Sequence, residues 1–143
     1  MNDGVKQNYT GTFEHAFDEK GRVTVPREWR GNGFESRLYV VPSSAGCLKV
    51  FPGSWLAAKT SELAALPVND PRRKQLEKLA PLIQGVEPDQ QHRVMVRESL
   101  RATAKLKKDA VLKGRFDHFE IWDKKMSQAT GGDEPLTVEE AGL

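Results

Sequence analysis

The segment DEKGRVTVPREWR at residues 18–30 returns later in the chain as DQQHRVMVRESLR at residues 89–101. Both follow the pattern D-x-x-x-R-V-x-V, and their first residues lie 71 positions apart, since 89 minus 18 is 71. That distance is close to half of the 143 residues. A phrase repeated at such a distance predicts that one structural unit occurs twice.

The first copy and the residues before it predict a definite local structure. Its upstream flank alternates, which is typical of a strand with one apolar face formed by Tyr9, Gly11, Phe13, His15 and Phe17. Residues 18–21 fit a type I turn with Asp first and Gly last, and a left-handed residue there completes a hairpin bulge. Val23 and Val25 then point inward, and Pro26 favours a short helix. We therefore predict a hairpin followed by a helical turn.

The remainder of the first half reads as two more strands and two helices. LYVVP at residues 38–42 and CLKVF at residues 47–51 are the strands, separated by the turn SSAG. The first helix follows and is expected to bury a stripe formed by Trp55, Leu56, Leu63 and Leu66. Asp70 followed by Pro71 predicts the start of a second helix, and Pro81 predicts its kink or end.

The repeat holds when it is tested without gaps. A shift of 71 residues places Val23 on Val94 and Arg30 on Arg101, and it places LKVF at residues 48–51 on FEIW at residues 119–122. We predict an α+β fold, mainly β, in which two tandem hairpin–helix–hairpin units interleave, because neither unit alone could bury a stable core. The expected divisions are units at 9–55 and 84–126, connecting helices at 53–84, and an acidic, flexible tail at 127–143.

Composition narrows the function classes. The net charge is +2, but residues 131–143 carry four acidic side chains and no Lys or Arg, so the body holds 22 basic against 16 acidic residues, or about +6. A basic body suits a polyanionic partner, but composition alone favours the simpler interpretation of a solvated surface with an acidic solubilising tail. The apolar runs are too short to cross a membrane, and the N-terminal residues do not have the pattern of a signal peptide. The single Cys47 excludes an internal disulfide and favours a reducing compartment. We therefore predict a cytoplasmic protein without a membrane span or signal peptide.

Catalytic signatures are missing from the sequence. The three histidines and Cys47 form no paired metal-ligand spacing, and neither a nucleophile elbow nor a phosphate-binding glycine loop is present. We therefore expect no enzyme activity, no catalytic or metal-binding residues, no cofactor and no small-molecule substrate.

Three stretches carry a resemblance to a known family: YTGTFEHAFDEKGRVTVPREWR, the NDPRRKQ helix start, and FEIWDKK. They resemble the MraZ family of bacterial transcription regulators, which have two tandem SpoVT-AbrB units. The resemblance implies a pseudo-twofold, swapped-hairpin AbrB-like barrel with flanking helices. It also implies a nucleoid-associated, ring-forming homo-oligomer that binds direct repeats in double-stranded DNA upstream of the division and cell-wall gene cluster, usually as a repressor.

The resemblance also assigns roles to residues. The DNA-binding set it implies is Lys20, Arg22, Arg27, Arg93 and Arg97, and the turn-setting set is Asp18, Gly21 and Asp89. The second motif departs from the family pattern, because Gln91 and His92 stand where the first has Lys20 and Gly21. Histidine adopts left-handed turn conformations more readily than most residues, so the second turn is expected to survive while its DNA contact is weaker.

Several alternatives stay open from the sequence. Arg22 and Arg93 could be ordinary strand arginines paired with Asp18 and Asp89. The basic run at residues 105–115 fits either phosphate contact or a solvated strand edge. The three tryptophans are expected to anchor the core or a subunit interface. The function alternatives are an AbrB-like antitoxin and a ring-forming scaffold that binds proteins and no nucleic acid.

Overall fold

The computed structural model describes residues 8–30, 36–130 and 137–142. Within these ranges the chain is mainly β, with eight strands that all pair antiparallel. The strands are β1 (Thr12–Ala16), β2 (Arg22–Thr24), β3 (Leu38–Pro42), β4 (Leu48–Pro52), β5 (Gln84–Val86), β6 (Arg93–Met95), β7 (Asp109–Gly114) and β8 (Phe119–Asp123). The predicted α+β class is confirmed.

Helical segments lie between and after the strands. The α-helices are α1 (Gly53–Ala65), α2 (Pro71–Leu79), α3 (Glu98–Thr103) and α4 (Lys124–Thr130), and short 3₁₀ turns occupy Arg27–Trp29 and Ala80–Leu82. Asp70 caps α2 by accepting a hydrogen bond from the Arg72 N–H at 2.8 Å, as predicted. The helix ends at Leu79, ahead of Pro81, which is also as predicted. None of the described helices has the length and apolar character required to cross a bilayer.

The strands form two sheets. Six of them make an open sheet in the order β1-β7-β8-β4-β3-β5, and β2 pairs with β6 in a separate two-stranded sheet. The described strands do not close into a barrel, so the expected swapped-hairpin barrel is not confirmed. The two sheets share one core, because apolar residues of both pack into the same buried cluster.

The shift of 71 residues maps this architecture onto itself. It carries β2 onto β6 and β4 onto β8, and it carries β3 onto the first five residues of β7. Pairing crosses between the halves, because β1 lies beside β7 and β5 lies beside β3. Val23 stands directly opposite Val94, its own counterpart, so the pseudo-twofold axis passes through that pair. Each half therefore supplies strands to the other.

The predicted pairing of the first hairpin is wrong. The two strands on either side of the turn do not form a ladder, since β1 pairs with β7 and β2 pairs with β6. Across the turn itself, the Asp18 N–H donates to the Arg22 carbonyl at 2.9 Å and the Gly21 N–H donates to the Asp18 carbonyl at 3.0 Å. The hydrogen bonds of the turn join neighbouring residues, whereas the strand partner of Val23 is the buried Val94 of the other half.

An aromatic cluster fills one end of the core. The Trp29 ring lies 5.5 Å from Tyr9, 5.2 Å from Phe13 and 4.8 Å from Phe119, measured between ring centroids. Its indole N–H donates to the Thr10 carbonyl at 2.8 Å, so the polar atom of this buried side chain is satisfied. Trp29 is therefore a core anchor, as is Trp122, which is also buried.

The predicted buried stripe of the first helix is wrong. No residue of α1 or α2 is buried, and the four stripe residues are only half-covered. Trp55 stacks on Phe51 with a centroid distance of 4.1 Å, and Arg73 of α2 donates to the Leu63 and Leu66 carbonyls. The two helices contact one another, and α1 packs on the end of β4, so neither helix enters the core.

Two further expectations change in the second half. The basic run at residues 105–115 does not form a strand edge, because β7 lies between β1 and β8. Lys113 is buried, with its ammonium 5.1 Å from the Trp122 ring centroid, whereas Lys107 and Lys108 precede the strand and are exposed. The flexible tail was expected to start at residue 127. Ser127 is instead buried within α4. Residues 131–136 and 143 of the expected tail lie outside the described residues.

The first turn requires glycine, and this is testable. Gly21 has φ of +76°, and a Cβ there would stand 2.9 Å from the Arg101 guanidinium. We expect Gly21→Ala to lower the free energy of unfolding by about 1–2 kcal/mol, because alanine disfavours this backbone conformation and Arg101 must move. His92→Ala is the matched control, since His92 occupies the counterpart position with φ of +64° and already carries a side chain.

The control should change the free energy of unfolding by no more than about 0.5 kcal/mol. Chemical denaturation of both variants beside the wild type measures the difference. Equal losses in the two variants would contradict the role given to Gly21.

Candidate nucleic-acid interface

The outward face of the two-stranded sheet carries the two motif arginines. Val23 and Val94 point into the core, so alternation sends Arg22 and Arg93 to the opposite face. In the register, Arg22 stands opposite Met95 and Arg93 stands opposite Thr24. The structure therefore brings the two predicted arginines together on one surface, related by the pseudo-twofold axis.

Each arginine is held by the aspartate that opens its turn. The Asp18 carboxylate accepts from the Lys20 N–H and the Arg22 N–H, both at 2.9 Å, and from Arg22 Nε at 2.7 Å. The Asp89 carboxylate accepts from the Gln91 N–H, the Arg93 N–H and Arg93 Nε, each at 2.9 Å. In the structure each aspartate thus binds backbone N–H groups of its own turn, and His92 has a left-handed conformation with φ of +64°.

These hydrogen bonds fix the charge state of the turns. The backbone N–H of Arg22 lowers the pKa of Asp18 below its usual value, helped by its side chain, and the Arg93 N–H lowers the pKa of Asp89 in the same way. Both carboxylates are ionised at neutral pH, so the ion pairs of the simpler interpretation do exist. They engage Nε of each arginine, and both side chains remain 27% exposed. An arginine held by Nε is oriented and can still donate from its terminal nitrogens.

A basic groove lies beside the first turn. Its volume is about 710 Å³, and its charged lining is Asp18, Glu19, Lys20, Arg22, Arg101, Lys107 and Lys108. Five cations thus face two anions. Arg101 is fixed beneath the turn, because its Nε donates to the Val96 carbonyl at 2.9 Å while its guanidinium packs on Gly21. The groove combines residues from both halves of the sequence.

The second turn has a smaller groove of about 430 Å³, which is the pseudo-symmetry mate of the first. Four of its lining residues, Arg30, Ser36, Pro88 and Asp89, are the counterparts of Arg101, Lys107, Phe17 and Asp18. Its charged residues are Arg30, Glu87 and Asp89, with His92 beside them. One permanent cation therefore faces two anions. The backbone of the two turns is alike, but only the first groove is lined by an excess of cations.

The two remaining predicted residues, Arg27 and Arg97, line neither groove. Both are exposed. The Val96 N–H donates to the Gly21 carbonyl, so the backbone of Arg97 follows directly beside the first turn. The Val25 N–H donates to the His92 carbonyl in the same way, which brings Arg27 close to the second turn. The backbone of Arg97 therefore lies nearer to the first turn than to the turn of its own motif.

Sequence reasoning missed the contribution of Arg101 and left Lys107 and Lys108 undecided. The repeat had aligned Arg101 with Arg30, but nothing local showed that its guanidinium packs on a turn about 80 residues earlier in the chain. Only the interleaved pairing brings the segment before β7 against the first turn, where the Phe17 N–H donates to the Lys108 carbonyl at 2.8 Å.

Other reactive side chains of the described residues lie apart from these grooves. Cys47 is buried beside Ser43, and its burial raises the pKa of the thiol. His118 contacts Asp117 at 2.7 Å and stacks on Phe51. Within the described parts of the chain, no three His, Cys, Asp or Glu residues come together in an arrangement that could hold a metal ion.

Comparison with known proteins agrees with the sequence resemblance. The profile of the family described as "MraZ protein, putative antitoxin-like" matches residues 9–78 and 84–128. Proteins named "Transcriptional regulator MraZ" are similar: that of Acidithiobacillus ferrooxidans is 34% identical, covering 80% of this chain and 82% of its own. That of Pediococcus pentosaceus is 32% identical, covering 85% of this chain and 85% of its own. That of Methylibium petroleiphilum is 36% identical, covering 85% of this chain and 84% of its own. The chain therefore belongs to the MraZ family.

Proposed function

We propose that the protein is a sequence-specific, DNA-binding transcriptional regulator that represses the bacterial division and cell-wall gene cluster from direct repeats upstream of its own gene. The relatives' names support the regulatory role. The observation that carries the DNA-binding step is the β2–β6 pairing, which presents Arg22 and Arg93 on one face. Under this proposal the two SpoVT-AbrB units span residues 9–55 and 84–126, and the protein works at the nucleoid.

The chemistry of the site fits base reading by arginine. The carboxylate of Asp18 holds Nε of Arg22, which leaves the terminal nitrogens to donate to a planar pair of acceptors. Guanine offers such a pair, N7 and O6, in the major groove, and a two-stranded ribbon fits within that groove. Lys20 is exposed on the turn and, under this proposal, contacts the neighbouring phosphates.

The two halves are proposed to contribute unequally. The first motif has Lys20, and five cations line its groove. The second motif has Gln91 at the position of Lys20, and its groove has an excess of acidic side chains. Arg22 is therefore the principal DNA contact, supported by Lys20 and Arg97, while Arg93 and Arg27 contribute less.

Assembly into a ring is proposed from the uncovered helices. The half-covered stripes of α1 and α2 lie beside Val68 and Leu82, which are 73% and 55% exposed. A contact of this surface with a different surface on the next copy is head-to-tail, and repetition around an axis closes a ring. Neighbouring subunits would each bind one direct repeat, so that weak single contacts add through effective concentration.

An AbrB-like antitoxin is the second candidate, because the family description itself contains the word antitoxin-like. An antitoxin also binds a protein toxin, and it would form a stable complex with a partner encoded next to it. Co-expression with each adjacent gene product, followed by copurification, distinguishes this function from autonomous regulation.

Footprinting on the DNA upstream of the protein's own gene tests the proposed function. A regulator that recognises direct repeats should protect short segments at a regular spacing. Uniform protection, or none at concentrations that saturate other family members on their own sites, would contradict sequence-specific binding.

The inequality of the halves gives a quantitative prediction. Arg22→Ala should weaken binding to the protected DNA by about 1–3 kcal/mol, because a base-reading arginine is lost, and Arg93→Ala should weaken it less. Arg72→Ala is the matched control, because Asp70 holds Arg72 through the same backbone and Nε bonds, but on α2. Binding isotherms for the three variants measure the losses; a larger loss in Arg93→Ala than in Arg22→Ala would reverse the assignment.

Assembly is tested separately. Light scattering at micromolar concentration should give the mass of a closed oligomer, and Val68→Glu with Leu82→Glu should lower that mass, since charge on these surfaces disfavours their burial. Lys78→Glu, also on the exposed surface of the helical hairpin, serves as the control for added negative charge. A monomeric wild-type protein would rule out the ring.

A further inference from the structure

The basic groove does not end at the first turn. Lys107 and Lys108 also line an adjoining groove of about 410 Å³, together with Asp109, Asp123, Lys124, Lys125 and Gln128. The two grooves share these two lysines, so their basic linings are continuous from Lys20 to the start of α4. This continuous set of cations is called the lysine track below, and it comprises Lys20, Lys107, Lys108 and Lys125.

Two of the four acidic residues that line the two grooves are occupied. Asp123 is buried, and its carboxylate accepts from the backbone N–H groups of Lys107, Lys125 and Met126. Asp18 is held by its own turn and by Arg22. Lys124 is paired with Glu14 at 3.2 Å and is therefore left out of the track. Glu19 and Asp109 also line the grooves and are exposed, so the four lysines of the track leave a net positive charge toward a partner.

The pseudo-twofold mate of the track lacks the charge. The counterparts of Lys20, Lys107 and Lys125 are the uncharged residues Gln91, Ser36 and Ser54. Lys108 has a basic counterpart in Arg37, but Arg37 lies 4.0 Å from the Glu87 carboxylate and donates to the Tyr39 hydroxyl. Three of the four positions of the track therefore carry a cation in one half only.

We propose that the lysine track binds the phosphates of one DNA strand, which fixes the direction in which each subunit lies on the duplex. The inference rests on the proposed function and deepens it. A face with true twofold symmetry favours an inverted repeat, since its two halves contact DNA identically. Here the two arginines are pseudo-symmetric, but the phosphate contacts lie on one side only. A subunit that lies on the duplex in only one direction matches direct repeats, because all copies of a direct repeat point the same way.

A double substitution tests the lysine track. Lys107→Gln with Lys108→Gln removes two cations whose backbone groups, and not their side chains, hold the fold: the Lys107 N–H donates to Asp123, and the Lys108 carbonyl accepts from Phe17. The matched control is Lys74→Gln with Lys78→Gln on α2, which removes the same charge from exposed positions that line neither groove. Thermal unfolding verifies that both variants remain folded.

The measurement is the salt dependence of binding by the full chain to a duplex from the protected upstream region. Loss of two phosphate contacts should make the slope of log K against log salt about 1.8 units shallower per bound subunit, while the control keeps the wild-type slope. The same loss is expected on a duplex of unrelated sequence, because phosphate contacts carry no sequence information.

The outcomes separate the two proposals. If the wild type fails to bind the upstream duplex specifically, the proposed function fails. If the wild type binds and the Lys107–Lys108 variant keeps its slope, the function stands and the lysine track is overturned, which leaves an acidic protein segment as the partner of these lysines. Equal changes in the test and control variants would also overturn the track, because they would reflect net charge alone.

Discussion

The contact between Val23 and Val94 is the constraint on which the rest of the structure depends. These two residues are fully buried and stand opposite each other where β2 meets β6. A two-stranded sheet of three residues per strand has little stability of its own, so it persists because its inner face covers the six-stranded sheet. Separation of this pair would expose the core and would also separate the two turns.

The same pairing couples folding to the proposed DNA contact. Because successive side chains of a strand point to opposite faces, Arg22 must point outward when Val23 points into the core. The turn aspartates then fix the arginines through backbone and side-chain bonds. The arginine positions are therefore set by a packed core, and little conformational freedom is lost when they bind a partner.

Much of this arrangement could be predicted from local sequence. The strand bounds, the Asp70 cap, the helix end before Pro81 and the turn at His92 all depend on neighbouring residues, and the repeat identified the counterpart strands. The partner of β1 could not be predicted in this way, because alternation shows which face is buried and not which strand lies alongside. The half-covered stripe of α1 could not be predicted for a similar reason. An apolar helix face indicates that the helix contacts another surface, but it does not indicate which surface.

The charge of the site was the least predictable feature. Lys20 and Lys108 are far apart in sequence, and only the swap of β1 onto β7 brings them into one groove. The core and the surface of the two halves also follow different constraints. Val23 and Val94 must match because each packs on the other, whereas Lys20 and Gln91 face solvent and are free to differ.

That freedom distinguishes one duplicated chain from a homodimer of single units. In a homodimer the two faces are identical, so every surface contact occurs twice and self-complementary association is the natural result. In this chain the core keeps the twofold arrangement while the grooves differ in charge. A molecule with two unlike sides can make head-to-tail contacts and lie in one direction on a polymer. The internal duplication therefore supplies the stability of a symmetric core without imposing symmetry on what the surface binds.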